Sequence, residues 1–356
     1  MKKAKWAAAA GITILLMTGL IIYSNDVTEA VIRSTKRCIC VIVPSLFAFM
    51  SVSGFIVRTG LTGIVSKPFD LTVGKILKMP AGAAAQFIIS NTAGYPVGAS
   101  MLSEAVRTGQ TDKRSAEAML IYCYAGGPAY LINAVGYGIF GNKAAGLSVF
   151  LSTVTANLLL AAIINRIYRP KLFTSVTKCG ISSESLISSI TDAGEKLFAM
   201  CFMIIWFSAV TTVVKGSGLP ARASELLGLN RSEAVLIGSL FEITSSSDLD
   251  RNAIGYLPQL AAVCCFGGVC VILQLHTVIK NSFGIKLFLK WMPVRMILVF
   301  CINKLYNWIF MDNSIPAFAE RGKIIVELNN LLPSLCLIMM IFILVLQKRL
   351  DFLKRV

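Results

Sequence analysis

The chain has 356 residues, of which 56% are hydrophobic and only 15% are charged. A soluble domain of this length exposes far more charge, so the composition excludes an ordinary soluble enzyme and indicates a membrane protein with several spans. The formal net charge of +16 does not indicate nucleic-acid binding, because Lys and Arg gather at the ends of apolar runs, as the positive-inside rule expects.

The chain begins with a short basic segment and an apolar run, Trp6–Tyr23. This run is longer than the apolar core of most signal peptides and lacks a small-residue cleavage site, so we interpret it as a retained span, with a cleaved signal as the alternative. At about 20 apolar residues per crossing, the sequence predicts an all-α polytopic membrane protein with about eight transmembrane helices. The further runs of spanning length are Cys38–Val57, Ser115–Phe140, Ala144–Asn165, Leu197–Val214, Ala253–Ile279, Trp291–Phe310 and Leu328–Gln347.

Two shorter apolar elements, at 80–100 and 233–247, are interrupted by polar and turn-forming residues. The first contains Asn91-Thr92-Ala93-Gly94-Tyr95-Pro96, and the second contains Glu242-Ile243-Thr244-Ser245. Irregular backbone inside a bilayer is tolerated only where it lines a wet cavity or contacts protein. We therefore predict two re-entrant hairpins, and paired broken segments of this kind indicate the binding site of a transporter.

The distribution of basic residues predicts the orientation of the chain. With a cytoplasmic N-terminus and both hairpins re-entrant, about twice as many Lys and Arg lie on the cytoplasmic side as on the other. Both termini are then cytoplasmic, and the hairpins enter from opposite sides, as an inverted repeat requires. The predicted division is an N-terminal anchor span at 1–36, a first repeat at 37–180, an amphipathic interface helix and a second repeat at 181–311, and a C-terminal span with a basic tail at 312–356.

The first hairpin and the broken span that follows it offer uncharged ligand groups. Asn91, Thr92 and the backbone near Gly94 could contact a solute, or they could form a tight turn packed against neighbouring helices. Gly127 precedes Pro128, which removes one helical hydrogen bond. Such a point is either an unwound ligand site or a kink in a packing helix.

Two charged residues inside the membrane carry the sharpest hypotheses. A carboxylate at depth costs about 2.5–3.5 kcal/mol on insertion scales, so we interpret Glu242 as functional. It could bind Na⁺ together with Thr244 and Ser245, or carry a proton, or pair with Arg295 or Lys304. Arg295 is predicted either to extend to the cytoplasmic interface or to clamp a substrate carboxylate.

No enzyme motif is present in the sequence. Nucleophile-elbow, zinc-protease, Walker and dinucleotide-binding patterns are absent, and the ten cysteines and one histidine form no ligand spacing. We therefore expect no enzymatic activity, no catalytic residues, no metal site and no cofactor beyond a coupling H⁺ or Na⁺.

The two broken elements and the glycine pair resemble the nucleoside-recognition (Gate) membrane family, in particular its sporulation integral membrane proteins. The resemblance is carried by the segment from Ser90 to Ala99, by Gly126-Gly127-Pro128 and by Phe241-Glu242-Ile243-Thr244. It implies a fold similar to concentrative nucleoside transporters, with two hairpins meeting at a central site. It also implies a role in spore formation, with dipicolinate as the candidate cargo.

The chain departs from that family pattern at Ser245-Ser246-Ser247 and at Tyr124-Ala125, and these differences leave the cargo and the coupling ion open. We expect a secondary transporter of a small polar or anionic solute, dipicolinate-like or nucleoside-like, working by alternating access in the plasma membrane or the outer forespore membrane. The alternative is a non-transporting scaffold or assembly factor for sporulation. The expected partners are the solute and the lipid bilayer, and the oligomeric state is open. Glu242 is the expected ion-coupling residue, and the expected solute-binding residues are Asn91, Thr92, Gly94, Gly127, Thr244, Ser245 and Arg295.

Overall fold

The protein is helical throughout the part of the chain that the structure describes. The computed structural model describes residues 2–172 and 181–310, and within these ranges it contains helices and no β-strand. These features fit the predicted α-helical integral membrane protein. Four helical stretches are long and apolar enough to cross a membrane: Ser24–Arg58, Lys143–Tyr168, Ser183–Gly216 and Ala253–Ile279, the last of which is interrupted at Gly267.

The helices fall on either side of residues 173–180. Before them lie α1 Lys2–Ile22, α2 Ser24–Arg37, α3 Val43–Arg58, α4 Thr62–Phe69, α5 Lys75–Leu77, α6 Ala83–Ala93, α7 Tyr95–Arg107, α8 Lys113–Leu120 and α9 Lys143–Tyr168, with π-helical stretches at Cys38–Ile42, Asp70–Gly74 and Ala129–Ile139. After them lie α10 Ser183–Gly216, α11 Leu219–Leu226, α12 Arg231–Ser239, α13 Leu257–Phe266, α14 Gly268–Ile279 and α15 Lys286–Phe310, with 3₁₀ turns at Ile243–Asp248 and Ala253–Tyr256.

Four of the predicted spans lie within the four membrane-length helices. Trp6–Tyr23 overlaps α1, Lys2–Ile22, which has 21 residues. Ser115–Phe140 is divided between α8 and the π-helix that follows it, and Trp291–Phe310 lies in α15, which has 25 residues. Leu328–Gln347 lies outside the described residues. The total of eight spans therefore stays a prediction.

Two helices are much longer than a bilayer requires. One runs without a break from Ser24 to Arg58 over 35 residues, and α10 has 34 residues. At about 1.5 Å per residue each is roughly 50 Å long, against a hydrocarbon core of about 30 Å. The predicted boundary after residue 36 lies inside the first of them. The amphipathic segment predicted before the second repeat continues into the next span as one helix, α10.

These two long helices pack side by side in opposite directions. At one end the guanidinium of Arg58 pairs with the carboxylate of Asp192. Toward the other end the hydroxyl of Ser208 donates a hydrogen bond to the carbonyl oxygen of Ala30 at 3.3 Å. The first broken segment follows α3 in the chain and the second follows α10. Because the pair is antiparallel, the two segments begin from opposite ends of it.

The first broken segment turns at Gly94, between α6 and α7. Gly94 has φ +106° and ψ 177°, a backbone conformation that only glycine adopts without strain. Beyond the turn, Gly98 approaches α6 so closely that a Cβ built on it would lie 2.7 Å from the Cβ of Ser90. The two helices therefore fold back on each other, and the close approach requires glycine at position 98.

The second broken segment is interrupted between α12 and the 3₁₀ turn that starts at Ile243. The carbonyl oxygen of Leu240 accepts from the amide of Val269 at 2.9 Å, and that of Phe241 accepts from the amide of Cys270 at 3.1 Å. These amides belong to the first turn of α14, where no helical partner exists. The carbonyl groups at the break after α12 are thus hydrogen-bonded by the free amides at the start of α14.

Replacing Gly98 with Ala tests the first turn. The added methyl would overlap the carbonyl oxygen of Cys123 and crowd Ser90, so we expect a loss of about 1–3 kcal/mol in unfolding free energy. Thermal unfolding of the detergent-purified protein measures the effect. The matched control is Gly238→Ala in α12, where a Cβ meets nothing within 4 Å. Equal melting temperatures for the two variants would contradict the close approach.

Candidate solute-binding site

The chain leaves the helix between α8 and the π-helix, at the predicted broken span. Residues 124–127 have no regular structure, and 121–126 are buried. Gly127 lies against the first turn, because a Cβ on Gly94 would be 3.3 Å from the amide nitrogen of Gly127. The structure therefore brings two of the predicted solute-binding positions into direct backbone contact.

Two asparagine side chains occupy the space beside this contact. Asn91 donates its amide to the carbonyl oxygens of Phe87, at 2.8 Å, and Tyr122, at 3.3 Å. Asn157, from α9, donates to the amide oxygen of Asn91 at 2.7 Å and to the carbonyl oxygen of Tyr124 at 3.1 Å. Both asparagines are buried. Two of the acceptors, the carbonyl oxygens of Tyr122 and Tyr124, belong to the unwound chain, which leaves them without helical donors.

Arg295, from α15, completes this cluster and is fully buried, with 0% of its surface exposed. Its Nη2 donates to the carbonyl oxygen of Tyr124 at 2.6 Å and to Oδ1 of Asn157 at 3.0 Å. Its Nε and Nη1 have no hydrogen-bond partner. The expectation that this side chain extends to the membrane interface is therefore wrong.

The surroundings of the Arg295 guanidinium are neutral. None of the ion pairs formed by the described residues includes it. The rings of Tyr124 and Phe288 lie 5.1 Å and 5.8 Å from its central carbon, and the thiol of Cys265 lies beside it. A buried cation without a counter-charge is costly. A planar carboxylate would supply both the charge and the acceptors that the free N–H groups need.

The broken span of the first part of the chain contacts the corresponding break in the second. The hydroxyl of Tyr124 donates to the carbonyl oxygen of Phe266 at 2.8 Å, directly before the left-handed Gly267. The hydroxyl of Tyr95 donates to the carbonyl oxygen of Cys264. Arg295 thus lies close to where the two unwound points meet.

Glu242 lies in a separate, half-buried cluster at the second broken segment. Its Oε1 accepts from the hydroxyl of Thr244, and its Oε2 accepts from the hydroxyl of Thr211, on α10, at 3.0 Å. The structure gives it no ion pair with Arg295 or with Lys304, which is exposed. Its carboxylate is held by hydroxyl groups alone and could bind a cation or a proton.

The remaining predicted residues differ in position. Thr92 is exposed, and its hydroxyl bonds to the carbonyl oxygens of Ile88 and Ile89 in its own helix, so it lies on the face away from Asn91. Ser245 is half-buried next to Thr244, in the Glu242 cluster. The structure therefore forms two groups. One contains Asn91, Gly94, Gly127 and Arg295, and the other contains Glu242, Thr244 and Ser245.

A third polar cluster, which sequence reasoning missed, joins α3, α7 and α10. Arg58 donates to Glu104 at 2.8 Å and pairs with Asp192, and Arg107 bridges the same two carboxylates at 2.9 Å and 3.1 Å. The nearby Lys196 is buried and donates to the hydroxyl of Ser100 at 3.0 Å. The ion pairs fix the second arm of the first broken segment to the long helix pair.

The Glu104 carboxyl, on α7, lies outside the four membrane-length helices. Burial by itself would raise its pKa, but the hydrogen bonds and positive charges of Arg58 and Arg107 outweigh burial, and the pKa is lowered. A lowered pKa in the folded state stabilises the fold at any pH above the unfolded value. That stabilisation disappears as the pH falls through the folded-state pKa.

Of the two site residues that sequence reasoning missed, one could have been suspected from its type. Asn157 is polar within the uncharged run Ala144–Asn165, where a buried amide needs partners. Thr211 lies in the apolar part of α10 and carries no such signal, because threonine hydroxyls commonly bond within their own helix, as this one also does with Phe207. Among the described residues, no group of three His, Cys, Asp or Glu side chains could hold a metal ion.

Comparison of the chain with protein-family models, with curated proteins and with solved structures gives no match in any of the three. The resemblance to the nucleoside-recognition family therefore stays a prediction, and the site is interpreted from its own geometry.

Replacing Glu104 with Gln tests the third cluster. The change removes one of the two carboxylates that pair with the buried Arg58, so we expect a loss of at most about 3–5 kcal/mol at neutral pH. Because the wild-type carboxylate is protonated below its lowered pKa, the difference in melting temperature should shrink in acid below about pH 4. Thermal unfolding at a series of pH values measures this.

The matched control is Arg107→Gln, whose side chain is 56% exposed in its ion pair with Glu104. Its effect should be clearly smaller, because exposed ion pairs contribute little. A pH-independent difference between Glu104→Gln and the wild type would contradict the assignment.

Proposed function

We propose that this protein is a secondary transporter of a small anionic solute, with Arg295 as the residue that binds the solute's carboxylate or equivalent group. One observation carries the proposal: a fully buried guanidinium with two unpartnered nitrogens, Nε and Nη1, and no counter-charge. A membrane protein keeps an ionisable residue at such a position chiefly for function. The solute supplies the missing negative charge, and the aromatic side chains beside Arg295 favour a cargo with a flat apolar body.

The arrangement of the chain supports alternating access. The two broken segments begin from opposite ends of the long antiparallel helix pair, as expected for an inverted repeat with hairpins that enter from opposite sides. Each broken segment contacts a later unwound point, Gly94 against Gly127 and Phe241 against Gly268. These paired contacts allow one half to move against the other around the Arg295 region.

Glu242 is the proposed coupling residue. Its carboxylate is half-buried, has no cationic partner and is surrounded by the hydroxyls of Thr211 and Thr244. Oxygen ligands of this kind suit Na⁺, and a carboxylate at this position also suits proton transfer. Coupling an inward cation to the movement of an anion reduces the net charge that crosses the membrane.

The proposed cargo, the membrane in which the protein lies and its orientation are inferred from the sequence. The resemblance to sporulation membrane proteins favours dipicolinate as the solute and the plasma membrane or outer forespore membrane as the location. The excess of basic residues on one side favours cytoplasmic termini. A neutral nucleoside is the less favoured cargo, because it offers no charge to Arg295.

A flux assay tests the proposal. Purified protein is reconstituted into liposomes, and uptake of radiolabelled dipicolinate and of uridine is measured with an imposed Na⁺ or proton gradient. We expect gradient-dependent dipicolinate uptake above that of empty liposomes and little uptake of uridine. Absence of uptake for every anionic and neutral solute tried would favour the alternative of a non-transporting scaffold.

Replacing Arg295 with Met should abolish uptake while leaving the fold intact. The substitution removes an unpaired buried charge, and such replacements are often neutral or stabilising. We therefore expect dipicolinate uptake at the level of empty liposomes, with a melting temperature no more than a few degrees below that of the wild type.

The matched control is Lys304→Met, on the same helix but exposed, which should retain uptake. Retained uptake in Arg295→Met would contradict the role of Arg295.

Replacing Glu242 with Gln should remove the response of uptake to the ion gradient, because the amide carries no charge for Na⁺ and no titrating proton. Uptake in the variant is compared with and without the gradient. Glu225→Gln, at an exposed position on α11, is the control and should respond as the wild type does. An unchanged gradient response in Glu242→Gln would exclude this residue as the coupling site.

A further inference from the structure

Asn157 is the point at which the parts of the candidate site are joined. Its side chain is fully buried. Its amide nitrogen donates to Asn91 on the first broken segment and to the carbonyl oxygen of Tyr124 in the unwound span. Its amide oxygen accepts from Nη2 of Arg295 at 3.0 Å. The two hydrogen bonds that Arg295 donates therefore go to this residue and to the Tyr124 carbonyl.

The chemical type of residue 157 decides the charge of the site. Asn and Asp have the same shape, and a buried Arg is most strongly held by a carboxylate. An Asp here would place a carboxylate oxygen where the amide oxygen now lies, 3.0 Å from Nη2 of Arg295, and would neutralise the guanidinium. The amide instead holds Arg295 in position and leaves its charge uncompensated. The other neighbours, Tyr124, Phe288 and Cys265, are also uncharged side chains.

We propose that Asn157 is a specificity-determining residue that makes the site selective for anions, by positioning Arg295 without neutralising it. This inference rests on the proposed function. The ligand class is a small carboxylate, which would bind the Nε and Nη1 of Arg295 without a competing acceptor from the protein. A carboxylate on residue 157 would neutralise the charge of Arg295 permanently and would repel an anionic solute.

The test substitutes Asn157 by Asp and by Ser and measures ligand-dependent thermal stabilisation of the detergent-purified full chain. The probes are sodium dipicolinate, sodium benzoate and uridine. We expect the wild type to be stabilised by the carboxylates. Asn157→Asp should need at least about tenfold more carboxylate for the same shift, because a like charge at the site costs more than 1.4 kcal/mol. Asn157→Ser, which stays neutral, should keep a clear carboxylate response.

A control separates the charge effect from the cost of a buried carboxylate. Asn165 lies on the same helix, is buried and bonds to the hydroxyl of Tyr122 at 3.1 Å. Asn165→Asp has no arginine to pair with, so its melting temperature should fall below that of Asn157→Asp. A merely structural role for Asn157 predicts instead that both of its variants lose the carboxylate response together.

The other possible results distinguish failure of this inference from failure of the proposed function. If the wild type responds to carboxylates and Asn157→Asp responds equally, the inference is overturned and the proposed function stands. If the wild type responds to neither carboxylate, the proposed function itself fails. If Asn157→Asp does not fold, Cys265→Asp places a carboxylate beside the same guanidinium, and a retained response in that variant overturns the inference.

Discussion

Backbone groups released by broken helices must find hydrogen-bond partners inside an apolar bundle, and this requirement organises the centre of the molecule. The carbonyl oxygen of Tyr124 accepts hydrogen bonds from both Asn157 and Arg295, and that of Tyr122 accepts one from Asn91. In the second part of the chain the amides of α14 bond to the carbonyls of Leu240 and Phe241. An unsatisfied group at such depth would cost several kcal/mol. The polar side chains of the site are thus required by the breaks before any ligand is considered.

Satisfying the breaks does not explain the charges that are present. A neutral donor would serve the Tyr124 carbonyl as well as a guanidinium does, and Arg295 brings two further nitrogens, Nε and Nη1, whose N–H groups have no acceptor in the protein. Glu242 likewise has more acceptor capacity than two hydroxyl groups use. A cation and an anion lie in separate clusters, neither neutralising the other. In a bundle selected for stability alone these two would pair or be replaced by apolar residues.

The sequence predicted the breaks better than it predicted their partners. Gly94 and Gly127 could be identified because glycine, proline and polar residues in an apolar run have few structural explanations. The contact between those two breaks, and the position of Asn157 beside them, depend on how α9 and α15 pack, which no local pattern records. The ion cluster of Arg58, Glu104 and Asp192 was also missed, because its members lie far apart in the chain near the ends of apolar runs. Charges at such positions are expected to be solvated, but Arg58 and Glu104 are buried.

Because of the same ion cluster, the two broken segments differ in how strongly ion pairs attach them to the long helices. The first is fixed through Glu104, whose side chain is 3% exposed in its pair with Arg58. The second has a comparable pair at the opposite end, between Lys215 of α10 and Asp248, but both side chains are 57% exposed. An exposed pair contributes at most about 1 kcal/mol, whereas breaking a buried one costs about 3–5 kcal/mol. Movement of the second segment away from α10 therefore meets less electrostatic resistance than movement of the first. Because that segment also carries Glu242, a cation bound there, as proposed, would act on the segment that is more easily displaced.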